Sequence, residues 1–416
     1  MSTNVGVNWA RNYEYQAAAL ARPTTVTEVQ DLVAASDRVR ALGSRHSFTG
    51  IADTTGTLVS LDALDVPIVI DENALTVTVG GGVLYGDLAT TLQDAGWALH
   101  NLASLPHISV AGAVATGTHG SGDTNGTLAA AVAGLEIVTA TGELLVLRRG
   151  DADFDGAVVA LGALGIVTRV TLDIQPTFDV RQDLYDDLAW SDLLANFDTV
   201  TSSAYSVSVF TDWLGDSVRT VWIKSRMDAA APPERIFGAE RQRSERHMLP
   251  DQPASNVTQQ GGIAGPWSDR LAHFKLGFTP SRGDELQSEY LVPRRNAVAA
   301  IEAVRSLGSK VAPLLFVTEL RTMAADSLWL SGAYATDAVG IHFTWKPLGD
   351  EVAAMLPEIE AALLPLGARP HWGKVFTAGV DQIEGQYARF ADFRALAARL
   401  DPQRKFGNAF LERAVY

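Results

Sequence analysis

The sequence predicts an α+β fold with two domains. Its 416 residues exceed what one ordinary hydrophobic core accommodates. Helical and strand patterns alternate along the first half without the regular strand–helix–strand repeat of a parallel sheet. After Pro176 the pattern changes to strands rich in aromatic and β-branched residues. Two domains with different internal organisation are therefore expected.

The first half opens on a helix and a strand that lead into a polar loop. A threonine N-cap before Val26, Val29 and Val33, at three- and four-residue spacing, predicts an amphipathic helix. Residues 39–42 predict a short buried strand that runs into the tight loop 43–47. The other elements predicted here are strands at 67–70, 75–79 and 166–174, two strands within 135–147, and helices near 84–92 and 157.

Very small side chains occupy much of residues 109–122. Small residues let another backbone or a flat ligand approach to van der Waals distance. Close packing of a helix would explain the same composition. The stretch by itself leaves both interpretations open.

The second half predicts a sheet with helices and one charged insertion. Strands are expected at 206–210, 220–223, 311–320 and 340–345, and helices at 297–307 and 352–364. Residues 228–253 are charged and contain proline, so we interpret them as a surface insertion or lid.

Composition excludes several classes of function. The chain has 33 basic and 48 acidic side chains and a formal charge of −15, which disfavours binding to nucleic acid or to an anionic membrane. The one basic cluster, 235–246, is interleaved with glutamates. Cysteine is absent, which excludes disulfides, thiolate catalysis and iron–sulfur clusters. No apolar run approaches the ~20 residues of a membrane span and no secretory signal is visible, so a cytoplasmic protein is expected.

Common cofactor motifs are also missing from the sequence. Neither the glycines at 80–82 nor those at 117–126 form the dinucleotide fingerprint, and no phosphate-loop lysine is present. The pairs His107/His119 and His342/His371 lack the spacing of metal ligands. No metal site is predicted.

Polar side chains share one face of two predicted strands in the second half. Glu319 and Arg321 are two residues apart, as are His342 and Thr344, so each pair points to the same side of its strand. The flanking residues are apolar, which favours a lined pocket over a solvent-facing surface. A buried ion pair between adjacent strands is an equally weighted alternative.

Two further residues are candidates for the same pocket. Lys374 follows a histidine and a tryptophan, and its ammonium would favour developing negative charge if it lay inside a pocket. Gln287 is a weaker candidate because strand alternation also fits a solvent-facing residue.

Several segments, in order, resemble the vanillyl-alcohol oxidase superfamily of FAD enzymes and, within it, the alditol (xylitol) oxidases. The resemblance spans nearly the whole chain. It rests on residues 42–48 (LGSRHSF), 103–112 (ASLPHISVAG), 116–122 (TGTHGSG), 319–322 (ELRT), 371–374 (HWGK) and 401–410.

This resemblance implies the fold and the cofactor. It implies an FAD-binding domain at 1–175, a substrate-binding domain at 176–375 built on an antiparallel sheet flanked by helices, and a C-terminal segment, 376–416, that returns to the first domain. It also implies FAD bonded covalently through His46, by one bond because the chain has no cysteine. Arg45 stands where the family often has glycine; it could reach a phosphate, although a positive φ would disfavour it. The implied cofactor-binding residues are Leu42, Gly43, Ser44, Arg45, His46, Ser47, Ser104, Ser109, Gly112, Ala113, Ala115, Ile166 and His371.

The resemblance further implies the reaction. A terminal alcohol of xylitol, sorbitol or a similar polyol would be oxidised to the aldose by hydride transfer to flavin N5, and O2 would be reduced to H2O2. The implied catalytic residues are Glu319, Arg321, His342 and Lys374, and the implied substrate-binding residues are Ser104, Gln287, Glu319, Arg321, Thr344 and Lys374. A pocket carboxylate favours a neutral polyol over an acid.

Two alternatives stay open at the level of the sequence. One is a sugar-lactone oxidase or dehydrogenase of the same superfamily. The other, more distant, is a flavin- or sugar-binding protein without turnover. A monomer without nucleic-acid or membrane partners is the expectation in each case.

Overall fold

The structure is a computed structural model that describes residues 5–249, 251–277 and 285–416. Its strands are β1 (Ala19–Ala21), β2 (Val39–Leu42), β3 (Thr57–Ser60), β4 (Val69–Asp71), β5 (Thr76–Gly80), β6 (Trp97–Ala98), β7 (Val132–Val138), β8 (Leu144–Arg148), β9 (Ile166–Asp173), β10 (Gln175–Pro176), β11 (Asp179–Asp186), β12 (Ser206–Thr211), β13 (Thr220–Arg226), β14 (Arg235–Ile236), β15 (Ala239–Gln242), β16 (Gly265–Pro266), β17 (Leu286–Pro293), β18 (Leu315–Met323), β19 (Ala338–Trp345) and β20 (Arg369–Pro370). Its helices are α1 (Val26–Ala35), α2 (Tyr85–Asp94), α3 (Val110–Ala115), α4 (Phe154–Val158), α5 (Trp190–Ala195), α6 (Phe197–Thr201), α7 (Trp267–Arg270), α8 (Ala297–Ser306), α9 (Gly308–Val311), α10 (Gly349–Leu363), α11 (Val380–Ile383), α12 (Phe390–Leu400) and α13 (Ala409–Ala414).

Two small sheets organise the first part of the chain. β1, β3 and β2 form a parallel sheet, and β4, β5, β9, β7 and β8 form an antiparallel one. Helix α1 begins where the sequence predicts, because the Thr25 side chain accepts a hydrogen bond from the Glu28 amide while Glu28 binds back to the Thr25 amide. Its Val29 and Val33 are fully buried. The expected α+β fold is thus confirmed.

A ten-stranded antiparallel sheet dominates the rest of the chain. Its order is β14-β15-β11-β13-β12-β18-β19-β17-β20, with β16 paired to β11. The central strands are buried along nearly their whole length. Helices α8 and α10 pack against each other, and α8 also contacts β17 and β19. The small sheets end at Asp173 and the large sheet begins at Asp179, while the exact division into domains stays an interpretation.

The C-terminal segment returns to the first sheets. Lys405 Nζ donates to the carbonyl of Val33, and Asn408 Nδ2 donates to the carbonyls of Gly50, Ile51 and Asp53. Helix α12 contacts α4. These contacts agree with the expectation that residues 376–416 pack on the N-terminal part.

Two predicted strands begin later than expected, in both cases after a proline. Residues 308–311 are helical and 312–314 form a 3-10 turn, so the strand expected from 311 begins at Leu315. Pro313 has no amide hydrogen for the sheet ladder. The strand expected at 67–70 begins at Val69, after Pro67.

The charged stretch 228–253 adds two short strands to the edge of the large sheet. It contributes β14 and β15; β15 pairs with β11 on one side and with β14 on the other. Many of its side chains are exposed, as expected of a surface insertion. His247, Met248 and Leu249 near its end nevertheless line the main cavity described next.

Candidate active site

A cavity of about 1080 Å³ lies between the loop after β2, helix α3 and one face of the large sheet. It exceeds the upper end of the usual range for small-ligand pockets, roughly 300 to 1,000 Å³. Its two regions differ in chemistry. Glycine, alanine and serine line one region, and ionisable side chains of β17, β18 and β19 line the other.

The small residues bring the backbone close to the cavity. A Cβ atom on Gly43 would lie 2.6 Å from Ser109 Oγ, and one on Gly112 would lie 2.7 Å from the same atom. A Cβ atom on Gly81 would lie 2.3 Å from the Val167 carbonyl oxygen. These walls have no room for larger side chains, which fits a flat ring held against backbone. Close packing, one of the two interpretations of this stretch, is thus observed, and the approach of a flat ligand stays a prediction.

The loop after β2 offers free backbone donors beside this wall. In the parts of the chain that the structure covers, no protein group accepts a hydrogen bond from the amides of residues 44–47. Consecutive free amides of this kind suit an anion such as a pyrophosphate. Ser44 Oγ accepts from the Ser109 amide at 3.0 Å, which ties the loop to the start of α3. The residues present therefore fit a dinucleotide flavin.

His46 lies in this wall in a defined orientation. Its ring stacks on Trp9 with centroids 5.3 Å apart, and its Nδ1 lies 3.1 Å from Ser44 Oγ. Burial lowers the pKa of His46 to about 4. The imidazole is therefore neutral at neutral pH and keeps a lone pair for bonding.

Two of the expected cofactor residues, Arg45 and Ile166, have side-chain contacts outside the cavity. Arg45 has φ +64°, and its guanidinium donates to the Val5 carbonyl at 2.8 Å and lies 5.3 Å from the Tyr15 ring centre. These contacts use the side chain for the N-terminal segment, although Arg45 also borders the cavity. Ile166 points away from the cavity into the core around α1, because strand alternation sends its neighbour Val167 to the cavity instead.

The other expected residues all border the cavity. The cofactor candidates there are Leu42, Gly43, Ser44, His46, Ser47, Ser104, Ser109, Gly112, Ala113, Ala115 and His371, and the substrate and catalytic candidates are Ser104, Gln287, Glu319, Arg321, His342, Thr344 and Lys374.

The ionisable side chains form a row across the sheet. Cross-strand pairing places Glu289 of β17 opposite His342 of β19, and His342 opposite Glu319 of β18. Arg321 is two residues along β18 from Glu319, on the same face. Arg321 Nη2 lies 3.4 Å from His342 Nδ1, and Arg321 Nη1 lies 3.3 Å from Ser104 Oγ. The sequence singled out each residue of this group except Glu289.

Glu289 binds two of the cations. Its carboxylate accepts from Lys374 Nζ at 2.6 Å and from Arg321 Nη2 at 3.0 Å, and it lies 3.2 Å from His119 Nε2. Burial would raise the pKa of Glu289, but Lys374, His119 and Arg321 together hold it well below its ordinary value. Glu289 is two residues from Gln287 in the same strand, so the two side chains share a face, and Gln287 also borders the cavity. This spacing is the sequence signal that could have identified Glu289.

Glu319 is the second buried carboxylate. It lies 3.6 Å from Arg321 Nε and accepts from His273 Nε2 at 2.7 Å. Burial would raise the pKa of Glu319, but Arg321 and His273 hold it well below its ordinary value. Two carboxylates thus face the two cations Arg321 and Lys374. The sequence left open whether these side chains line a pocket or form a buried ion pair between strands. In the structure they do both.

His342 and Lys374 are shifted toward their neutral forms. Burial, followed by the nearby Lys374 ammonium, lowers the pKa of His342 well below its ordinary value. Its Nε2 is buried and has no hydrogen-bond partner among the described residues. Burial also lowers the pKa of Lys374, although Glu289 opposes that effect. A neutral imidazole in a pocket of compensated charge suits proton exchange with a neutral substrate.

Other candidate residues complete the pocket wall. Thr344 is paired with Gln287 across the strands, and Gln287 Nε2 donates to Glu285 Oε1 at 2.7 Å. His371 Nδ1 accepts from the Gly373 amide at 3.1 Å, and burial lowers its pKa well below the ordinary value. No group of three or more potential metal ligands is found in the described chain, and none of its helices is long and apolar enough to cross a membrane.

Comparisons with known proteins agree with this geometry. Residues 17–148 match a family described as FAD binding domain, and residues 279–414 match D-arabinono-1,4-lactone oxidase. An alditol oxidase of a Streptomyces species is 48% identical over 99% of both chains. An L-gulono-1,4-lactone dehydrogenase of Mycobacterium tuberculosis is 30% identical over 98% of both chains.

Solved structures show the same fold at lower identity. A cholesterol oxidase from Brevibacterium sterolicum superposes with a TM-score of 0.79 at 16% identity, covering 99% of this chain and 97% of its own. This likeness concerns the fold alone. The full-length relatives and the FAD-binding domain match show that the chain belongs to the alditol oxidase family, within the vanillyl-alcohol oxidase superfamily of FAD-dependent oxidoreductases.

Proposed function

We propose that this protein oxidises a terminal hydroxyl of a small alditol, such as xylitol or sorbitol, to the aldose. The proposal rests on the charge-compensated polar pocket beside a wall that fits a flavin. Glu289 and Glu319 balance Arg321 and Lys374, so the pocket carries no excess charge that would call for an ionic substrate. Its carboxylates accept hydrogen bonds and its cations donate them, as several neighbouring hydroxyls require.

Each polar side chain then has a defined task. Glu319 and Thr344 hold hydroxyls next to the reacting carbon, and Ser104 and Gln287 contact the remainder of the polyol. Arg321 and Lys374 stabilise negative charge on the reacting oxygen. His342 takes the hydroxyl proton, because Arg321 stays protonated in proteins and the Lys374 amine is bound to Glu289. Bound FAD supplies the hydride acceptor, and O2 as the final acceptor gives H2O2.

The cofactor attachment is proposed at His46. Neutrality of the imidazole and its fixed position between Trp9 and Ser44 support this assignment. The remaining expectations, a monomer located in the cytoplasm, stay predictions.

The first experiment is the visible spectrum before and after acid precipitation. We expect the yellow colour to stay with the wild-type pellet and to be released from His46→Ala. Release of all flavin from the wild type would overturn the covalent assignment. A colourless protein that FAD cannot reconstitute would overturn the flavoprotein assignment itself.

The second experiment tests the pocket. Glu319→Ala and Lys374→Met should each lower the rate of H2O2 production from xylitol by about 100-fold or more while the flavin stays attached. Full turnover in both variants would contradict the pocket assignment.

A sugar-lactone oxidase or dehydrogenase is the second candidate. It is favoured by the match of residues 279–414 to D-arabinono-1,4-lactone oxidase and by the 30% identical lactone dehydrogenase. Initial rates on xylitol and sorbitol, compared with rates on aldonolactones, distinguish the two. Higher kcat/KM on lactones would replace our proposal.

A further inference from the structure

A second layer of buried polar groups lies behind Glu319. Lys224 of β13 is fully buried, and its Nζ donates to the carbonyls of Leu271 at 2.6 Å and Ala272 at 2.9 Å. The same Nζ lies 3.2 Å from His273 Nδ1. Within the described residues, no carboxylate lies at ion-pair distance from this amine. A buried lysine that binds only carbonyls and an imidazole destabilises the fold unless other interactions compensate, so its position calls for an explanation.

Lys224 determines which nitrogen of His273 carries the proton. Because the amine donates to Nδ1, the ring proton resides on Nε2, which donates to Glu319 Oε1 at 2.7 Å. Burial lowers the pKa of Lys224 to about 7. The protonated amine has three N–H groups, one for each of its three acceptors, the Leu271 and Ala272 carbonyls and His273 Nδ1. In this form the hydrogen bonds run in one direction, from Lys224 through His273 to Glu319.

Aromatic rings fix the imidazole in place. The His273 ring centre is 5.3 Å from that of Trp222, nearly perpendicular to it, and 5.8 Å from that of Phe210. Phe210 is paired with Glu319 across the strands. The ring that holds the carboxylate thus rests on the neighbouring strands of the same sheet.

The segment that carries His273 also holds a second pocket residue. The amides of His273 and Phe274 both donate to the carbonyl of Ser104, at 3.2 Å each. Thr258 secures the segment from the other side, since its amide donates to the His273 carbonyl at 2.9 Å and its hydroxyl donates to the Ala272 carbonyl at 2.8 Å. The backbone of this segment therefore holds Ser104, whereas the His273 imidazole holds Glu319.

We propose that Lys224 and His273 are positioning residues for polyol oxidation, which hold Glu319 Oε1 so that Oε2 stays available to the substrate. This inference rests on the proposed function. Oε2 is the oxygen nearer to Arg321 Nε, at 3.6 Å, and to His342 Nδ1, at 3.9 Å, and thus faces the reacting region. Because His273 already fixes Oε1, the Glu319 carboxylate loses less conformational freedom when Oε2 binds the substrate.

A double-mutant cycle tests this assignment. His273→Leu removes the donor, and we expect kcat/KM for xylitol to fall by roughly 10- to 100-fold, mainly through KM. In the Glu319→Ala background the same substitution should change kcat/KM by less than about threefold, because its partner is gone. His273→Gln, whose amide can still donate to Glu319, should recover most of the loss.

Further variants separate positioning from folding. Lys224→Met should cause a smaller loss that also disappears in the Glu319→Ala background. Asp269→Asn, at an exposed residue of the same segment, should leave kcat/KM unchanged. Equal losses in both backgrounds, or a loss that His273→Gln does not reduce, would overturn the inference. Wild-type protein that holds flavin but oxidises no polyol would instead overturn the proposed function, and this result precedes any comparison of variants.

Discussion

Glu289 is a fully buried carboxylate that two cations bind at once. Glu289→Gln leaves the largely buried Lys374 ammonium without its charged partner and leaves Arg321 with Glu319 alone. Removal of one partner from a buried ion pair typically costs about 3 to 5 kcal/mol of stability. We expect the free energy of unfolding in urea to fall by about that amount and polyol oxidation to decline with it. Glu358→Gln, at a surface ion pair with Lys310, is the control and should cost less than about 1 kcal/mol.

The same residue offers a test of how stability and activity separate. Combining Glu289→Gln with Lys374→Met removes the uncompensated amine, so part of the lost stability should return. Activity should not return, because both groups belong to the proposed pocket. If the double variant is as unstable as the sum of the single variants, the two side chains do not act as a pair.

Arg45 gives a prediction about the flavin loop. Its left-handed backbone favours glycine, and its guanidinium binds the Val5 carbonyl. We therefore expect Arg45→Gly to keep covalent flavin at the wild-type level, measured as the ratio of absorbance at 450 and 280 nm after acid precipitation. A large loss of flavin would show instead that the arginine side chain contacts the cofactor.

At the scale of elements, one glycine in a central strand makes room for the polar row. Gly340 of β19 lies opposite Arg321, and a Cβ atom there would lie 2.8 Å from Glu289 Oε1. Gly340→Ala should therefore displace Glu289 and lower kcat/KM for xylitol by at least about tenfold. Gly349→Ala, where nothing lies within 4 Å of the added atom, is the matched control and should leave activity unchanged. Equal behaviour of the two variants would argue against the row as a functional unit.

The strands show why part of the site could be predicted from sequence. Alternation within a strand has a period of two, so Glu319 with Arg321 and His342 with Thr344 could each be assigned to one face. Helix α1 was equally readable, because its capping box and valine spacing are local signals. Such local signals do not show which distant segments a side chain contacts in the fold. Two strands begin later than predicted, after Pro67 and Pro313, because proline has no amide hydrogen to donate to the sheet.

What could not be predicted depends on the pairing between strands. The register that places Glu289 opposite His342 is set by the whole sheet, and no single segment encodes it. His273 lies in an irregular segment without periodicity, so its approach to Glu319 had no sequence signal. Ile166 was matched by resemblance alone, whereas strand alternation places Val167 at the cavity.

At the scale of the whole molecule, burial of histidines makes stability depend on pH. Burial is the largest cause of a lowered pKa at five histidines besides His46, namely His100, His247, His273, His342 and His371. Between the lowered values and the ordinary value near 6.5, the unfolded chain binds protons that the folded protein does not. Stability therefore decreases as the pH falls through about 6.5. Glu289 and Glu319, whose pKa values are also lowered, add to this loss below their ordinary value near 4.5.

We expect the free energy of unfolding to fall modestly from pH 8 to 7, because Lys224, with a pKa of about 7, binds its proton more weakly in the folded protein than in the unfolded chain. It should then fall by several kcal/mol between pH 6.5 and 5. Each histidine that protonates only on unfolding contributes a slope of up to about 1.4 kcal/mol per pH unit. Urea unfolding at fixed ionic strength measures this slope. His100→Gln replaces a half-buried histidine outside the cavity and should reduce the slope by up to about 1.4 kcal/mol per pH unit. Stability that stays level from pH 8 to 5 would mean that these imidazoles protonate within the folded protein, and it would remove the basis for a neutral His342 in the pocket.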